Sequence, residues 1–489
     1  MDKQHTLIKN FLKNHSLVES NILSFNDFVD NRMQVIAKEV AANLSSEDIK
    51  VEVGKIKVGR PNIIEADGSR HNLLPAEARM RNLTYSAPVH MEITIKKDDE
   101  SEHCDVEIGR MPIMVRSKYC HLHNMTDDQL IENHIDPADP GGYFTVNGNE
   151  RILVLLEDLA SNQPFINIDS KNKKKKILRL FSQRGSYKIP TSILEATDGI
   201  LEISFSRFKN IPLIPLIKSL GVTKDADIAK LVGVESDSFV VNLYEYTGMH
   251  SALDALNFIV DRTSMLGTKK EVQDKLKTRI DSYLLPHIGV TPESRVEKAV
   301  TLCKLMKQFF VAKQTKYLSD KDHYANKRVK LSGDLFTDLF RINLTMLLRD
   351  LQNNLIRLAK KKKIYSLMTL AKATLFTQRI ESAIATGSWI GERTGVTKNM
   401  DKTNFLSIFS DLQRVISLLP SEQENFKART LHPTHYGRFC PIETPEGTPI
   451  GLRKNLALLS KISTAVDLDS RHFVDTLKEI GMEVPSNIK

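Results

Sequence analysis

Residues 429–459 read RTLHPTHYGRFCPIETPEGTPIGLRKNLALL, a stretch that combines frequent proline and glycine with charge of both signs. Proline fixes φ and removes a backbone donor, so a helix does not continue through the four prolines of this short span. Glycine permits tight turns that a Cβ would block. The stretch also lacks the period-two alternation of a half-buried strand. It therefore predicts a rigid, irregular loop system presenting mixed charge, the kind of surface that carries function.

A long surface linker is the alternative interpretation of this stretch. Linkers are compositionally simple and flexible, whereas this stretch carries several types of acid and base. We therefore favour a functional surface. Its charged and titratable residues are Arg429, His432, His435, Arg438, Glu443, Glu446, Arg453 and Lys454.

The composition is that of a globular protein. The chain has 489 residues, 41% of them hydrophobic and 26% charged, which predicts two or three domains. The first residues interleave charge with apolar side chains and offer no signal-peptide core. No apolar run reaches the roughly 18 residues that a membrane span needs. We expect a soluble protein of the cytoplasm.

The four cysteines form neither a disulfide framework nor a zinc motif. Cys104, Cys120, His121 and His123 are conceivable zinc ligands, but their spacing matches no zinc finger and the chain contains no CxxC. We expect reduced, structural thiols and no metal bound by this chain.

Positive charge is concentrated between residues 341 and 380. The formal net charge of the chain is +9, and this segment holds nine basic residues against one acidic residue, Asp350. Such a surplus suits the phosphate backbone of a nucleic acid, and a solvated helix face is the alternative. A second lysine run, at 173–176, is interpreted as an exposed hairpin tip. The nine basic residues are Arg341, Arg349, Arg357, Lys360, Lys361, Lys362, Lys363, Lys372 and Arg379.

Apolar periodicity predicts a mixed α+β chain. Period-two alternation marks strands at 51–58 and 89–97. Helical spacing marks residues 24–44 and 333–359. Between them, short strands near 177–208 give way to helices near 212–220, 226–232 and 270–285. The helix at 333–359 carries an apolar stripe of Leu344, Leu348, Leu351, Leu355 and Leu358.

Four blocks of the sequence resemble one protein family. They are DPGGYFTVNGNERILV at 139–154, DKDHYANKRVKLSGDLF at 320–336, ATGSWIGERTGV at 385–396, and the stretch at 429–459. In this order they are similar to the second-largest catalytic subunit of multisubunit DNA-dependent RNA polymerases, called beta in bacteria. Members of that family are usually far longer. The chain is therefore expected to be an N-terminal half, similar to the separately encoded B double-prime subunit of archaea.

The resemblance implies an α+β multidomain fold. A protrusion domain with an inserted lobe domain would be followed by a fork region of irregular loops and short helices and strands. The expected boundaries are 1–158 for the first part of the protrusion, 159–320 for the lobe, 321–386 for the second part of the protrusion, 387–462 for the fork, and 463–489 for a C-terminal segment leading to the partner half-subunit.

The resemblance also implies an activity, DNA-directed RNA synthesis from ribonucleoside triphosphates. The chain would form one side of the DNA/RNA cleft and the fork near the active centre. The catalytic Mg2+ of the assembled enzyme would be held by an aspartate triplet of the largest subunit, and no matching motif occurs here. Asp467 and Asp469 lack a third ligand. We expect no catalytic residue and no cofactor in this chain, which would be inactive alone.

The partners implied are other subunits and nucleic acid, without a membrane: the C-terminal half of the B subunit, the largest polymerase subunit or subunits, small assembly subunits, the DNA template and the nascent RNA. The alternative is a non-catalytic assembly or regulatory protein that binds nucleic acid on a polymerase-like scaffold. A hydrolase with Glu443 or Glu446 as general base would need a nucleophile or metal set that the sequence lacks.

Two sets of site residues follow from the resemblance. Arginine suits the first set because its planar fork grips phosphate and stays charged. Polar residues at 398–404 are equally common in helix caps, and that alternative stays open. The nucleic-acid-binding set is Lys398, Asn399, Lys402, Asn404, Arg414, Arg429, Arg453 and Lys454. The set supporting the active-centre loop is His432, Arg438, Glu443, Thr444, Glu446 and Gly447.

We also expect particular roles for the loop glutamates, for the block at 320–331, and for Asp411 and Gln413. Glu443 and Glu446 should orient neighbouring bases, for which Arg438, Arg453 and Lys454 are candidates. The block at 320–331 should form a hydrogen-bonded knot rather than contact nucleic acid. Where relatives commonly carry His and Arg, this chain has Asp411 and Gln413, which lowers the local positive charge and does not favour direct RNA contact there. The residues expected in the knot are Asp320, Asp322, His323, Asn326, Lys327 and Arg328.

Overall fold

The chain folds into two compact units. Unit 1 comprises Met1–Leu156, Val329–Gln423 and Tyr436–Lys489, and unit 2 comprises Glu157–Arg328 and Glu424–His435. The computed structural model describes residues 3–14, 16–42, 50–97, 100–169, 175–185, 187–234, 236–263, 268–360, 373–389, 393–422, 424–463 and 470–482.

Helices and strands both occur in each unit, as the predicted α+β class requires. The helices are α1 Lys3–Asn14, α2 Glu19–Asp27, α3 Met33–Ala42, α4 Pro75–Met80, α5 Asp127–Glu132, α6 Leu213–Ser219, α7 Asp225–Val232, α8 Asp237–Tyr244, α9 Ala252–Arg262, α10 Lys269–Tyr283, α11 Arg295–Thr315, α12 Ser332–Lys360, α13 Ala373–Thr386, α14 Phe405–Leu412, α15 Phe426–Arg429 and α16 Ser470–Glu479. A π-helical turn, Phe28–Arg32, joins α2 to α3. Over the described residues, no helix combines the length and apolarity needed to cross a membrane.

The strands are short except in two antiparallel sheets, one in each unit. They are β1 Lys50–Val58, β2 Asn62–Ile64, β3 Arg70–Asn72, β4 Ser86–Lys97, β5 Glu100–Pro112, β6 Phe144–Val146, β7 Asn149–Leu153, β8 Leu155–Leu159, β9 Pro164–Ile168, β10 Lys176–Arg184, β11 Tyr187–Glu195, β12 Leu201–Phe205, β13 Phe208–Pro212, β14 Lys327–Lys330, β15 Thr397–Asn399, β16 Arg414–Ser417 and β17 Arg453–Asn455.

In unit 1, β1, β4 and β5 form an antiparallel sheet in that order. Val89, Met91 and Ile93 of β4 are fully buried, whereas His90 and Glu92 between them are partly exposed. Successive side chains of a strand point to opposite faces, so one face of β4 lies in the core. The strands predicted at 51–58 and 89–97 are confirmed.

Aromatic rings join this unit's helices. The ring centroids of Phe25 and Phe336 are 5.4 Å apart and those of Phe28 and Phe340 are 5.9 Å apart. Phe144 of β6 lies 5.3 Å from Phe336. The helices predicted at 24–44 and 333–359 are thereby confirmed as core elements, the first as far as residue 42, where its described range ends. Along the second, the predicted leucines at 344, 348 and 351 are buried.

Helix α12 begins against α2 with no space for a side chain at Gly333. The Ser332 N–H donates to Asn21 Oδ1 at 3.0 Å, and the Ser332 hydroxyl donates to the Asn21 carbonyl at 3.1 Å. A Cβ on Gly333 would overlap the carbonyl oxygen of Ser24. Glycine is therefore required here by close backbone approach.

Unit 2 packs helices against a five-stranded antiparallel sheet with the order β13–β12–β11–β10–β9. Leu302, Met306 and Phe310 of α11 are buried in one cluster with Leu178 and Ile203 of the sheet. The change from strands to helices in this region was predicted, but α8, α9 and α11 were not. The buried residues of α11 lie on one side of the helix. That side includes the buried Lys298, and the opposite side carries exposed Val296 and Val311, so the apolar stripe is weak in the sequence.

Residues 320–328 form the predicted hydrogen-bonded knot in unit 2. Lys327 Nζ donates to the buried Glu157 carboxylate at 2.7 Å, and the Tyr324 hydroxyl also donates to that carboxylate. Desolvation and the Glu157 charge raise the pKa of Tyr324, so its phenol stays protonated. Asn326 Nδ2 donates to the Asp320 carbonyl at 2.7 Å, and the His323 Nδ1 atom accepts the Ala325 N–H at 3.0 Å. The hydrogen-bonded knot predicted for this block is confirmed, and the absence of nucleic-acid contact there stays a prediction.

Not every cation of the predicted basic segment at 341–380 is at the surface. Arg349 and Arg357 are exposed, as predicted, but Arg341 is buried and pairs with Glu39. The predicted surplus therefore includes one cation that is not at the surface. Lys361, Lys362, Lys363 and Lys372 lie outside the described residues.

The lysine run at 173–176 also differs from the prediction where it is described. Lys175 donates to the Glu195 carbonyl at 2.9 Å and Lys176 donates to the Ala312 carbonyl at 2.6 Å. Both side chains are half-buried. The exposed-tip prediction is thus wrong for these two lysines, because backbone carbonyls hold them, and residues 173 and 174 lie outside the described part of the chain.

The residues considered for zinc occupy ordinary structural positions. The Cys120 thiol is buried 3.3 Å from the Tyr85 hydroxyl, and burial raises its pKa. The His121 Nε2 atom lies 2.7 Å from the Pro61 carbonyl. Among the residues with described placement, no group of three or more His, Cys, Asp or Glu side chains is arranged to hold a metal ion.

Candidate nucleic-acid interface

The stretch at 429–459 is irregular, as predicted, apart from β17 and two helical turns. Gly447 and Gly451 have φ of +77° and +72°, in the left-handed region that favours glycine. The Thr444 hydroxyl donates to the Arg453 carbonyl at 3.0 Å and accepts the Gly451 N–H at 2.9 Å. Thr444 thereby closes the loop that leads into β17.

Strand β17 places two predicted cations on opposite faces. It pairs with β16 so that Arg453 lies opposite Ile416 and Lys454 opposite Val415. The Arg453 side chain is exposed, whereas Lys454 is only 6% exposed. The Lys454 ammonium lies 6.0 Å from the centroid of the Phe439 ring. Of the two, only Arg453 is presented at the surface of this chain.

Asp411, in the last turn of α14, is the buried centre of the site. It is 4% exposed. Its carboxylate accepts from Lys398 Nζ at 2.7 Å and from the Asp401 N–H at 3.2 Å, and it lies 3.6 Å from Arg414 Nη1. Lys398 and Arg414, predicted separately, therefore share one acid.

Asp401 itself is fixed locally. Its carboxylate accepts from the Thr403 hydroxyl at 2.6 Å and from the Thr403 N–H at 3.0 Å. These two hydrogen bonds, the side-chain one first, lower the pKa of Asp401. This turn connects β15 to α14 and fixes the chain between Lys398 and Asn404.

The Ser410 hydroxyl links three elements beside Asp411. It donates to Glu443 Oε1 at 2.6 Å, and it lies 3.1 Å from Arg414 Nη2 and 3.2 Å from Asn455 Nδ2, both donors. Asn455 Nδ2 also donates to the Ser410 carbonyl at 2.8 Å. Glu443 therefore reaches Arg414 through a hydroxyl, and Asn455 ties β17 to α14.

That Glu443 and Glu446 orient neighbouring bases stays a prediction. The Glu443 carboxylate accepts from the Ser410 hydroxyl, which also lies 3.1 Å from Arg414 Nη2. The side chains of both glutamates are exposed.

Lys402 is held by a second acid, Glu150, whose side chain is 9% exposed. Its ammonium pairs with Glu150 of β7, whose carboxylate also accepts from Arg79 Nη1 at 3.1 Å. Strand β15 pairs with β7, with Asn399 opposite Arg151. The Asn399 side chain is exposed. The predicted strip at 398–404 is thus an edge strand and turn whose two lysines each contact a carboxylate.

Asn404 caps helix α14. Its Oδ1 accepts the Ser407 N–H at 2.8 Å, the usual bond of an N-cap residue. The cap alternative, left open by the sequence, is therefore realised at this position.

Replacing Asn404 with alanine is expected to lower the free energy of unfolding by about 1 kcal/mol, because the cap bond is lost. Asn404→Asp keeps an acceptor and should be nearly neutral. Denaturant unfolding of the purified chain measures both. Equal stability of the alanine and aspartate variants would show that the cap does not stabilise α14.

An open cavity of about 1050 Å3 lies beside the Asp411 network in unit 1. Lys398 and Arg414 are among the residues that line it, and Phe405, Leu406 and Phe409 of α14 contribute apolar surface. The two cations therefore border a space large enough for a bound group.

Two predicted residues, Arg429 and His432, belong to unit 2. Arg429 ends α15 and is half-buried. The His432 ring nitrogens lie 2.7 Å from the Thr434 hydroxyl and 3.1 Å from Asp320 Oδ2. Desolvation acts to raise the pKa of Asp320, but hydrogen bonds from the Asp322 N–H and His432 outweigh it and lower that pKa.

Three residues of the site were not predicted: Glu150, Ser410 and Asn455. Each acts through a partner far away in sequence, so spacing gave no sign of it. Asp411 was identified only as a departure from relatives. The one local signal is its place in the apolar helix sequence FLSIFSDL, where a buried acid needs a partner.

In the described structure, Lys398 and Arg414 form a basic surface, and both cations contact the buried Asp411. Comparison with known proteins gives the family of this multidomain chain. The family described as RNA polymerase beta subunit matches residues 16–378. The family described as RNA polymerase Rpb2, domain 3, matches residues 398–462, which include most of β15 and all of α14, β16 and β17. The chain belongs to the RNA polymerase beta subunit family.

Archaeal relatives are similar over nearly the whole chain. DNA-directed RNA polymerase subunit Rpo2N of Methanocaldococcus jannaschii is 38% identical over 98% of this chain and 99% of its own length. Rpo2N of Halobacterium salinarum is 37% identical over 99% of this chain and 96% of its own length. DNA-directed RNA polymerase subunit Rpo2 of Saccharolobus solfataricus is 38% identical over 99% of this chain, which spans only 43% of that relative.

Proposed function

We propose that the chain is a subunit of a DNA-directed RNA polymerase and takes part in template-directed RNA synthesis from ribonucleoside triphosphates. The observation that carries the proposal is the 38% identity, over 98% of the chain, to a relative named as a polymerase subunit. The matched region includes 398–462, which holds the Asp411 network. The chain would form one side of the DNA/RNA cleft and the fork near the active centre.

The proposed domains are those expected from the resemblance: protrusion at 1–158 and 321–386, lobe at 159–320, fork at 387–462, and a connecting segment at 463–489. A separate compact unit that contains Glu157–Arg328 supports a lobe inserted into the protrusion.

The proposed interface would act by positioning the nucleic acid. Phosphoryl transfer depends mainly on placement of the reactants and on electrostatic stabilisation. Lys398, Arg414 and Arg453 are the proposed phosphate contacts of unit 1, because each has at least part of its cationic side chain exposed. Arg429 would contribute from unit 2. The catalytic Mg2+ would be held by the largest subunit, and no step is assigned to a metal in this chain.

The proposed protein partners are the C-terminal half of the B subunit, the largest subunit or subunits, and small assembly subunits, acting in the cytoplasm. Exposed apolar side chains on unit 1 support large interfaces: Ile442 is 86% exposed and Leu459 is 69% exposed. Such side chains are typical of surfaces that a partner covers.

Purification of the tagged chain from its native cell tests the proposal. The material is assayed for extension of an RNA primer on a DNA template, with and without the four ribonucleoside triphosphates. We expect stoichiometric recovery with a subunit that carries a magnesium-binding aspartate triplet, and template-dependent extension. Recovery of the chain alone, binding DNA without extending a primer, would instead support a non-catalytic binding protein.

A further inference from the structure

Two of the proposed phosphate contacts already face an acid of the same chain. The Asp411 carboxylate lies 2.7 Å from Lys398 Nζ and 3.6 Å from Arg414 Nη1. Asp411 is 4% exposed, whereas Lys398 and Arg414 keep 38% and 22% of their side chains exposed. The acid is therefore fixed in the protein while both cations still reach solvent.

Helix stability does not explain an acid at this position. Asp411 lies in the last turn of α14, where the negative end of the helix dipole disfavours an anion. A buried carboxylate is also costly unless it is paired and hydrogen-bonded. The cations and the Asp401 N–H supply those partners. The acid at position 411 is therefore explained by its effect on Lys398 and Arg414.

We propose that Asp411 is a positioning residue that holds Lys398 and Arg414 and cancels about one of their two positive charges toward nucleic acid. The inference rests on the proposed function and adds to it how strongly this interface binds nucleic acid. A phosphate must compete with Asp411 for both cations. The interface therefore holds a nucleic-acid strand in place without full counterion release, which suits a strand that must advance after each nucleotide is added.

The test replaces Asp411 with asparagine in the assembled complex, which keeps the shape and an acceptor for Lys398 but removes the charge. Retention of a labelled RNA primer on its DNA template is measured at several KCl concentrations. Each phosphate neutralised changes the slope of log Kobs against log salt by about 0.7 to 0.9. We expect the slope of Asp411→Asn to be steeper by that amount, and binding at about 0.1 M salt to be roughly fivefold to eightfold tighter.

Companion variants separate charge from folding. Lys398→Gln should make the slope shallower by a similar amount, and Asp411→Asn combined with Lys398→Gln should return it to the unaltered value. Glu92→Gln removes one charge from an exposed pair with Lys57, 3.1 Å apart on β4 and β1, and should leave the slope unchanged.

Distinct results overturn the inference. An unchanged or shallower slope for Asp411→Asn in an intact complex contradicts it. If Asp411→Asn does not assemble, the slope of Lys398→Gln decides, and an unchanged slope there overturns the proposal. If the unaltered complex neither retains nor extends the primer, the proposed function itself has failed.

Discussion

Replacing Gly333 with alanine is expected to lower the free energy of unfolding by about 3 kcal/mol, the upper part of the usual cost of overpacking. The added Cβ would overlap the Ser24 carbonyl oxygen, and backbone cannot move aside as a flexible side chain can. The start of α12 is also tied to Asn21 by two hydrogen bonds, so α12 cannot shift without losing them. Denaturant unfolding of the purified chain gives the value.

Gly248→Ala is the matched control for this prediction. Nothing lies within 4 Å of a Cβ at Gly248, and its φ is not in the left-handed region. The control should raise the free energy of unfolding by less than about 1 kcal/mol, because alanine restricts the unfolded chain more than glycine does. Similar stability for the two variants would show that α2 and α12 do not approach as closely as described.

Arg414→Ala is expected to reduce primer extension by the assembled complex by about 10-fold to 100-fold. A hydrogen bond to a charged group contributes about 1.5 to 3 kcal/mol, and each 1.36 kcal/mol corresponds to a factor of ten in rate. The guanidinium borders the open cavity beside Asp411 and Ser410. Single-turnover extension at saturating triphosphate measures the effect, because it separates the chemical step from release.

Arg207→Ala provides the comparison. Arg207 is exposed between β12 and β13 in unit 2, outside the proposed interface. Its removal should leave both assembly and extension unchanged. If the Arg414 variant extends a primer at the unaltered rate while the complex is intact, Arg414 does not contribute to positioning nucleic acid.

Local periodicity accounts for the elements that could be predicted. The leucine stripe of α12 and the alternation in β4 each record one face that meets the core, so the pattern is visible in the sequence alone. Helix α11 also buries one side, but Lys298 lies on that side and exposed Val296 and Val311 lie on the other, so the contrast between its faces is weak in the sequence. The loop at 429–459 was predictable for another reason, since proline and glycine restrict the backbone locally.

The candidate site could be predicted only in part. The sequence pointed to Lys398 and Arg414, but their shared acid depends on β7 and β17 bringing β15 and α14 together. The opposite orientations of Arg453 and Lys454 follow from the pleat of β17, which at three residues is too short to show a period. Charge alone does not say which way an exposed loop side chain turns, so the sequence could not place the Glu443 carboxylate against the Ser410 hydroxyl.

Photocrosslinking from Asn399 tests most directly whether this chain lies against the RNA of a working polymerase. The exposed Asn399 is replaced by p-benzoylphenylalanine, the complex is stalled on a template with radiolabelled RNA, and exposed Ile64 of β2 carries the same group as a control. We expect a crosslink to RNA from position 399, not from 64, and elongation of the crosslinked RNA by one nucleotide when the next triphosphate is added. No crosslink from position 399 in an actively extending complex would contradict this expectation.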